Sequence, residues 1–175
     1  ALYLLCDIFD FWFEYKKAVP KGFVRFLGKL AEFTDKGIPV HFFTGNHDLW
    51  AFDYLPNEIG LILHHQPYQT TIKGKRFYLS HGDGLGPGDK RYKVLKRIFT
   101  NPFAQWIFGR LHPNLGIALA HSWSYSSRNV HGIPEEFRGE ENEMLIKHAR
   151  MILEKERFDY LIFGHRHIPI DYRLN

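Results

Sequence analysis

Four short apolar runs, each handing over to a polar cluster at its carboxyl end, constrain this chain more than any other feature. Residues 2–5 lead into Cys6-Asp7-Ile8-Phe9-Asp10, and residues 40–43 lead into Gly45-Asn46-His47-Asp48. Residues 76–79 follow a Lys73-Gly74-Lys75 turn and lead into Ser80-His81-Gly82-Asp83. Residues 160–163 lead into Gly164-His165-Arg166-His167. Continuous apolar runs of this length, bounded by glycine, predict buried strands. In α/β sheets, ligands bind where strands end, because the carboxyl ends open into a crevice.

Helical patterns separate the runs. Phe23, Val24, Phe26, Leu27, Leu30, Ala31 and Phe33 recur at helical spacing before Gly37-Ile38-Pro39 stops them. Met144, Leu145, Ala149, Ile152 and Leu153 form a second stripe ahead of the last run. Strand–helix–strand order predicts a layered α/β domain. Residues 69–79 read as a hairpin, which makes the sheet mixed. After Asp83 the alternation stops. Val94, Leu95, Ile98, Phe99, Trp106 and Ile107 read as amphipathic helix, broken into short pieces by Pro102, Pro113 and Gly116. Residues 84–134 are therefore expected to be a helical insertion capping the strand ends, within a single domain spanning residues 1–175. A chain of 175 residues is long enough for one sizeable core. Because the first residue, Ala1, already lies in an apolar run, the chain reads as cut inside a domain and incomplete at both ends.

Composition removes several function classes. One cysteine excludes a disulfide framework and a cysteine-rich zinc site. No apolar run reaches the ~18 residues of a spanning helix. The net charge of +4 is unevenly spread: residues 84–131 hold seven Lys/Arg against one acid, Asp89. Such a stretch suits an anionic partner.

The strand-end clusters supply Asp7, Asn46, His81, His165 and His167. Oxygen and imidazole donors without thiolate suit manganese, iron or zinc. Asp7 is preferred to Asp10 because it lies nearer the strand end. A carboxylate can bridge two cations ~3.5–4 Å apart, and such a pair clamps the attacking and leaving oxygens of an in-line phosphoryl displacement. In a tight loop, His165 and His167 can each reach a different cation. Taken singly, each cluster is an ordinary loop: Gly-Asn-His-Asp makes a turn, and Asp7 could cap a helix. Their joint placement at four strand ends points to a cation site.

In that order, Asp7-x-x-Asp10, Gly45-Asn46-His47-Asp48, His81-Gly82-Asp83 and Gly164-His165-Arg166-His167 resemble the motifs of the calcineurin-like metallophosphoesterases. The resemblance implies an α-β-β-α sandwich of two sheets flanked by helices. It also implies two divalent cations, manganese first, with iron or zinc as alternatives. Asp7 would be the bridging ligand, Asn46, His81 and His165 ligands of one cation, and His167 a ligand of the other. His47 would be the non-ligand histidine on the reacting phosphate, oriented by Asp48. The pattern His81-Gly82-Asp83-x-Leu85, Asp89-x-x-Tyr92, Arg97, Pro102 and Trp106, together with Trp12, resembles one branch of the family. That branch hydrolyses the pyrophosphate bond of UDP-2,3-diacylglucosamine in lipid A synthesis, giving UMP and 2,3-diacylglucosamine 1-phosphate. Asp89, Tyr92, Arg97 and Trp12 would then contact substrate. The enzyme would be cytoplasmic and peripheral to the bacterial inner membrane.

Three positions depart from the family pattern. An Asp-x-His pair on a first strand, which completes the shell of the second cation, is missing from residues 1–175. Cys6 stands where the family has glycine. His47 stands where proteobacterial members of the branch carry arginine.

The insertion suits the same substrate. Phe99, Phe103, Trp106, Ile107, Phe108 and Leu111 could line a groove for acyl chains. Lys90, Arg91, Lys93, Lys96 and Arg97 could face phosphates or an anionic membrane surface, on which a basic amphipathic helix with Trp and Phe can lie. The expected partners are a UDP-linked diacylated glucosamine and that surface; neither nucleic acid nor an obligate protein partner is called for. Two other readings compete. One is a metallophosphoesterase acting on another phosphodiester, nucleotide or nucleic acid. The other is a non-enzymatic binding module, which would require that the natural chain truly lack the first metal motif.

Overall fold

The computed structural model describes residues 1–87, 90–130, 136, 137 and 139–174, with the side chains of 91 and 123–130 left aside. Two three-stranded sheets form its centre. The first joins β1 (Leu2–Leu4), β2 (Val40–Phe43) and β3 (Ile62–His64), all parallel. The second joins β4 (Tyr68–Ile72), β5 (Lys75–Ser80) and β6 (Tyr160–Phe163). Within it β4 and β5 are antiparallel, and β5 and β6 parallel. The mixed pairing expected from the hairpin is thus confined to the second sheet.

Every residue of β2 is buried because both of its faces are covered. Successive side chains alternate across a strand. Val40 and Phe42 join a core with Leu27 and Leu30 of α1 (Val24–Asp35) and Leu55 and Ile59 of α2 (Tyr54–Ile59). His41 and Phe43 face the other way, where their rings lie 5.4 and 6.5 Å from Tyr68 of β4. On the far side of the second sheet, α6 (Met144–Leu153) sets His148 against Tyr78 and Phe163. The layers therefore run helix, sheet, sheet, helix.

Neither α2 nor β3 is signalled by periodicity. The former is six residues long and contains Pro56. It is held from elsewhere in the chain: Glu14 Oε2 accepts the backbone N–H groups of Phe52, Asp53 and Tyr54 at 2.7, 2.8 and 3.1 Å. A carboxylate at the amino end of a helix satisfies otherwise orphaned donors and opposes the helix dipole.

Between β5 and α6 come α3 (Lys90–Phe99), α4 (Pro102–Phe108) and α5 (Pro113–Val130). Pro102 opens α4 rather than breaking it, and Asn101 Oδ1 caps it by accepting from Phe103 and Ala104. Pro113 likewise opens α5. The expected break at Gly116 does not occur, since this residue lies inside α5. A Cβ there would sit 2.2 Å from the Tyr15 hydroxyl oxygen, so glycine is required for close approach, not for a turn.

Candidate metal centre

The carboxyl ends of β1, β2, β5 and β6 meet at one place. Ligand atoms of Asp7, His81 and His165 all lie within 4.8 Å of one another, the one such group among the described residues. Asn46 joins its edge, with Oδ1 3.2 Å from His165 Nδ1.

Each donor is set by its loop. Only 2% of His81 is exposed, and its Nδ1 contacts the Leu5 carbonyl at 2.9 Å. A carbonyl can only accept, so Nδ1 carries the proton and Nε2 is the atom offered to the site. That Nε2 is buried without a hydrogen-bond partner, 3.6 Å from Asp7 Oδ2. His165 sits in the left-handed region at φ 67°, a costly conformation that persists where surrounding structure imposes it. Two glycines permit the convergence. A Cβ on Gly45 would fall 2.1 Å from Asp7 Oδ1 and 2.6 Å from His81 Cε1. One on Gly164 would fall 2.2 Å from the Leu5 oxygen.

The residues fit a divalent cation. A buried imidazole nitrogen with no partner, facing a carboxylate and a second imidazole, is satisfied by a single positive ion. One carboxylate, two imidazoles and an amide oxygen form a donor set suited to manganese, iron or zinc. Asp10 contributes differently from Asp7: its carbonyl lies 2.9 Å from His47 Nδ1.

The second rank of residues corrects several expectations. Asp48 does not orient His47. Its carboxylate is fully buried and accepts from the amides of Gly45 at 2.5 Å and Ile8 at 3.2 Å, tying the β1 and β2 loops together. Burial and the nearby Asp7 charge push its pKa up to about 8, against the pull of those two amides. The Asp10 carbonyl contacts His47 Nδ1, while the His47 amide donates to Asp7 Oδ1 at 3.1 Å. Trp12 is not open to a substrate. It is 0% exposed, packed in the core against Phe9 at 4.3 Å, and its indole donates to Glu14. Its flat surface serves the layer beneath the site.

His167 is exposed and lies outside the three-residue group. Asp89 falls outside the described residues. Arg97 is exposed on α3, while its neighbour Lys96 reaches the loop that carries His81. Lys96 Nζ lies 2.6 Å from Asp83 Oδ2, which also accepts the Tyr92 hydroxyl at 2.5 Å. Burial works to raise the Asp83 pKa, but Lys96, Tyr92 and His81 outweigh it and hold the group below the usual carboxylate range. The Tyr92 ring lies 6.4 Å from that of His165. Lys96 is among the cations expected to face phosphates; here it pairs with Asp83, and helical spacing accounts for its sharing a face with Tyr92, four positions earlier.

Strand ends that carry carboxylate, amide and imidazole donors to one point, in a two-sheet sandwich, define a metallophosphoesterase. The family model described as Calcineurin-like phosphoesterase matches residues 2–169, and the chain belongs to that family. Among curated proteins it is similar to the UDP-2,3-diacylglucosamine hydrolase of Porphyromonas gingivalis, at 40% identity over 99% of this chain and 71% of that protein. It is also similar to the enzymes of the same name from Aeromonas hydrophila, at 30% identity over 100% of this chain and 72% of the other, and Edwardsiella ictaluri, at 28% over 97% and 64%.

Proposed function

We propose that this chain hydrolyses the pyrophosphate bond of UDP-2,3-diacylglucosamine, releasing UMP and 2,3-diacylglucosamine 1-phosphate, as a step of lipid A synthesis. The observation that carries the reading is the convergence of Asp7, His81 and His165 beneath a helical cover that leaves large apolar side chains in the open. Relatives bearing the name of that activity support it.

When bound, a divalent cation at Asp7, Asn46, His81 and His165 would supply positive charge to polarise the phosphoryl group and acidify the attacking water. Manganese is the first candidate. A second cation would use His167 and further donors. The chain's own residues supply orientation. The Leu5 carbonyl fixes the His81 tautomer, and the Asp48 carboxylate holds the β1 and β2 loops in register. Because Asp10 takes His47 Nδ1, contact with a non-bridging phosphoryl oxygen falls to Nε2, a donor position of the kind that stabilises developing charge. The leaving group is a sugar phosphate, already a stable anion, so little protonation of it is needed.

The cover supplies the apolar part of the reading. Val94, Ile98, Phe103, Trp106, Ile107, Leu115 and Leu119 are all exposed, while Phe99 and Phe108 turn inward onto Trp50 at 5.2 and 4.7 Å. The groove-lining set foreseen in the sequence is thus divided between anchors and an outward face. That face suits acyl chains and, with Arg97 and Arg110 beside it, the surface of an anionic membrane. No helix among the described residues is long and apolar enough to cross a membrane.

Incubating the full-length protein and Mn²⁺ with the diacylated UDP-sugar, and separately with bis(p-nitrophenyl) phosphate, tests the proposal. The expected result is UMP formation with a kcat/KM far above that for the small diester. Equal efficiency on both, or release of UDP in place of UMP, would refute it. A basic insertion keeps open a nucleotide or nucleic-acid diester as the second reading, and the same comparison decides it. Co-sedimentation with anionic vesicles at low salt checks the membrane surface, where no binding would remove that part.

A further inference from the structure

Asp83 is 4% exposed and lies outside the group of cation donors, yet it is held by two partners from the cover. Its Oδ2 accepts Tyr92 OH at 2.5 Å and Lys96 Nζ at 2.6 Å, and Lys96 also reaches the Asp83 carbonyl at 3.4 Å. Alongside, Lys93 Nζ donates to the Gly86 carbonyl at 2.6 Å. Tyr92 and Lys96 are one turn apart on a common face of α3. The Tyr92 ring lies over Gly84, where a Cβ would sit 3.2 Å from it. At the other end of the same helix, the Trp50 indole donates to the Phe99 carbonyl at 2.7 Å. Trp50 belongs to the loop that carries Asn46 and His47, and Asp83 to the loop that carries His81. Both ends of α3 are therefore strapped to loops that carry site residues.

A buried carboxylate costs free energy unless it is paired, and removing one partner leaves the other charge uncompensated. No step of the proposed chemistry uses Asp83. We infer that Asp83, through Lys96 and Tyr92, is a positioning residue that fixes α3 as the substrate-facing wall beside His165, acting on the binding of the diacylated substrate and not on the chemical step. The inference rests on the function proposed above for the substrate, but the strap itself can be tested without it.

The test uses the full-length, manganese-loaded protein with Lys96→Met, Lys96→Arg and Asp83→Asn. Lys96→Met is expected to raise KM for the diacylated UDP-sugar by ~10-fold, the scale of a lost charged hydrogen bond, with kcat changed by less than about twofold. The KM for bis(p-nitrophenyl) phosphate should rise by less than that for the diacylated UDP-sugar. Lys96→Arg should restore KM to within about threefold. Asp83→Asn combined with Lys96→Met should be no worse than the more severe single variant, because one interaction is removed once. Backbone hydrogen exchange across residues 90–99 should quicken in Lys96→Met. An unchanged KM, or a fall of kcat on both substrates together, or unaltered exchange, overturns the inference. If the unsubstituted protein ignores the diacylated substrate, the proposed function fails, and the exchange measurement alone decides the strap.

Discussion

The floor of the site and its cover are built on opposite physical terms. The floor is made of short loops held by backbone. The Leu5 carbonyl takes His81, the Asp10 carbonyl takes His47, and amides of Gly45 and Ile8 take Asp48. Glycines at 45 and 164 remove the side chains that would fill it. The cover is tied by a few side-chain straps, Trp50 to Phe99 and Asp83 to Lys96 and Tyr92. It leaves Phe103 67% and Trp106 56% exposed. The floor fits one ionic chemistry at fixed distances, which a small displacement destroys. The cover presents adaptable apolar area, whose use is to meet something else. On the proposed function, chemistry and substrate choice are carried by separate parts of the chain.

If that division holds, the largest loss should come from the floor. Gly45→Ala drives a methyl group into Asp7 and His81, so hydrolysis of any phosphodiester should fall by ~10³-fold or more. Gly109→Ala, where the nearest heavy atom is 3.4 Å away, should retain activity, and a colorimetric diesterase assay of both variants checks the contrast. Next, His47→Ala should lower turnover by ~10²-fold on large and small substrates alike. Unchanged turnover would remove His47 from the chemistry.

The cover should respond differently. Trp106→Asp replaces an exposed ring that lies 4.8 Å from the Arg110 guanidinium. It should raise KM for the diacylated substrate by ~10-fold and leave the small diester alone, because exposed sites change stability by only about 0.5 kcal/mol. Loss of both activities would merge the two regions.

The smallest effect concerns the layer between the sheets. His41 Nδ1 lies 2.9 Å from His64 Nε2, and burial pushes both pKa values below the ordinary 6.5, with nearby histidines adding to the effect at His64. Below about pH 6.5 the unfolded chain binds protons that the folded chain refuses, so stability should fall as pH drops from about 7 to 5. Urea melts at those two pH values measure it, and in His41→Phe the slope should flatten. Activity that declines before stability does would place the acid sensitivity in the floor instead.

Much of the floor was legible in sequence because it is local. A strand end and a polar residue sit within five positions at four places, three of them with a glycine, and together these clusters give the order of Asp7, Asn46, His81 and His165. The helices at residues 24–35 and 144–153 were legible for the same reason, through one apolar face each. What escaped depends on contacts far apart in the chain. Nothing local marks Glu14 as the partner of amides 38 to 40 residues away. Short α2 and β3 are stabilised by pairing and capping more than by their own pattern. Trp12 enters the expected substrate contacts only through the family resemblance, and motif spacing does not show which way a ring turns; the backbone pairing of Trp12 N–H with the His47 carbonyl at 2.9 Å lies alongside a ring turned into the core. Gly116 was read as a helix break because a close approach between Tyr15 and α5 cannot be seen in one dimension.

The central claim is that Asp7, His81 and His165 hold a cation. Titrating the purified protein with Mn²⁺, and following the free ion by electron paramagnetic resonance, tests it directly. Wild-type protein should take up the ion, and His81→Ala should bind it at least ~10-fold more weakly while keeping its far-ultraviolet circular dichroism. Equal affinity in the two proteins would contradict the account.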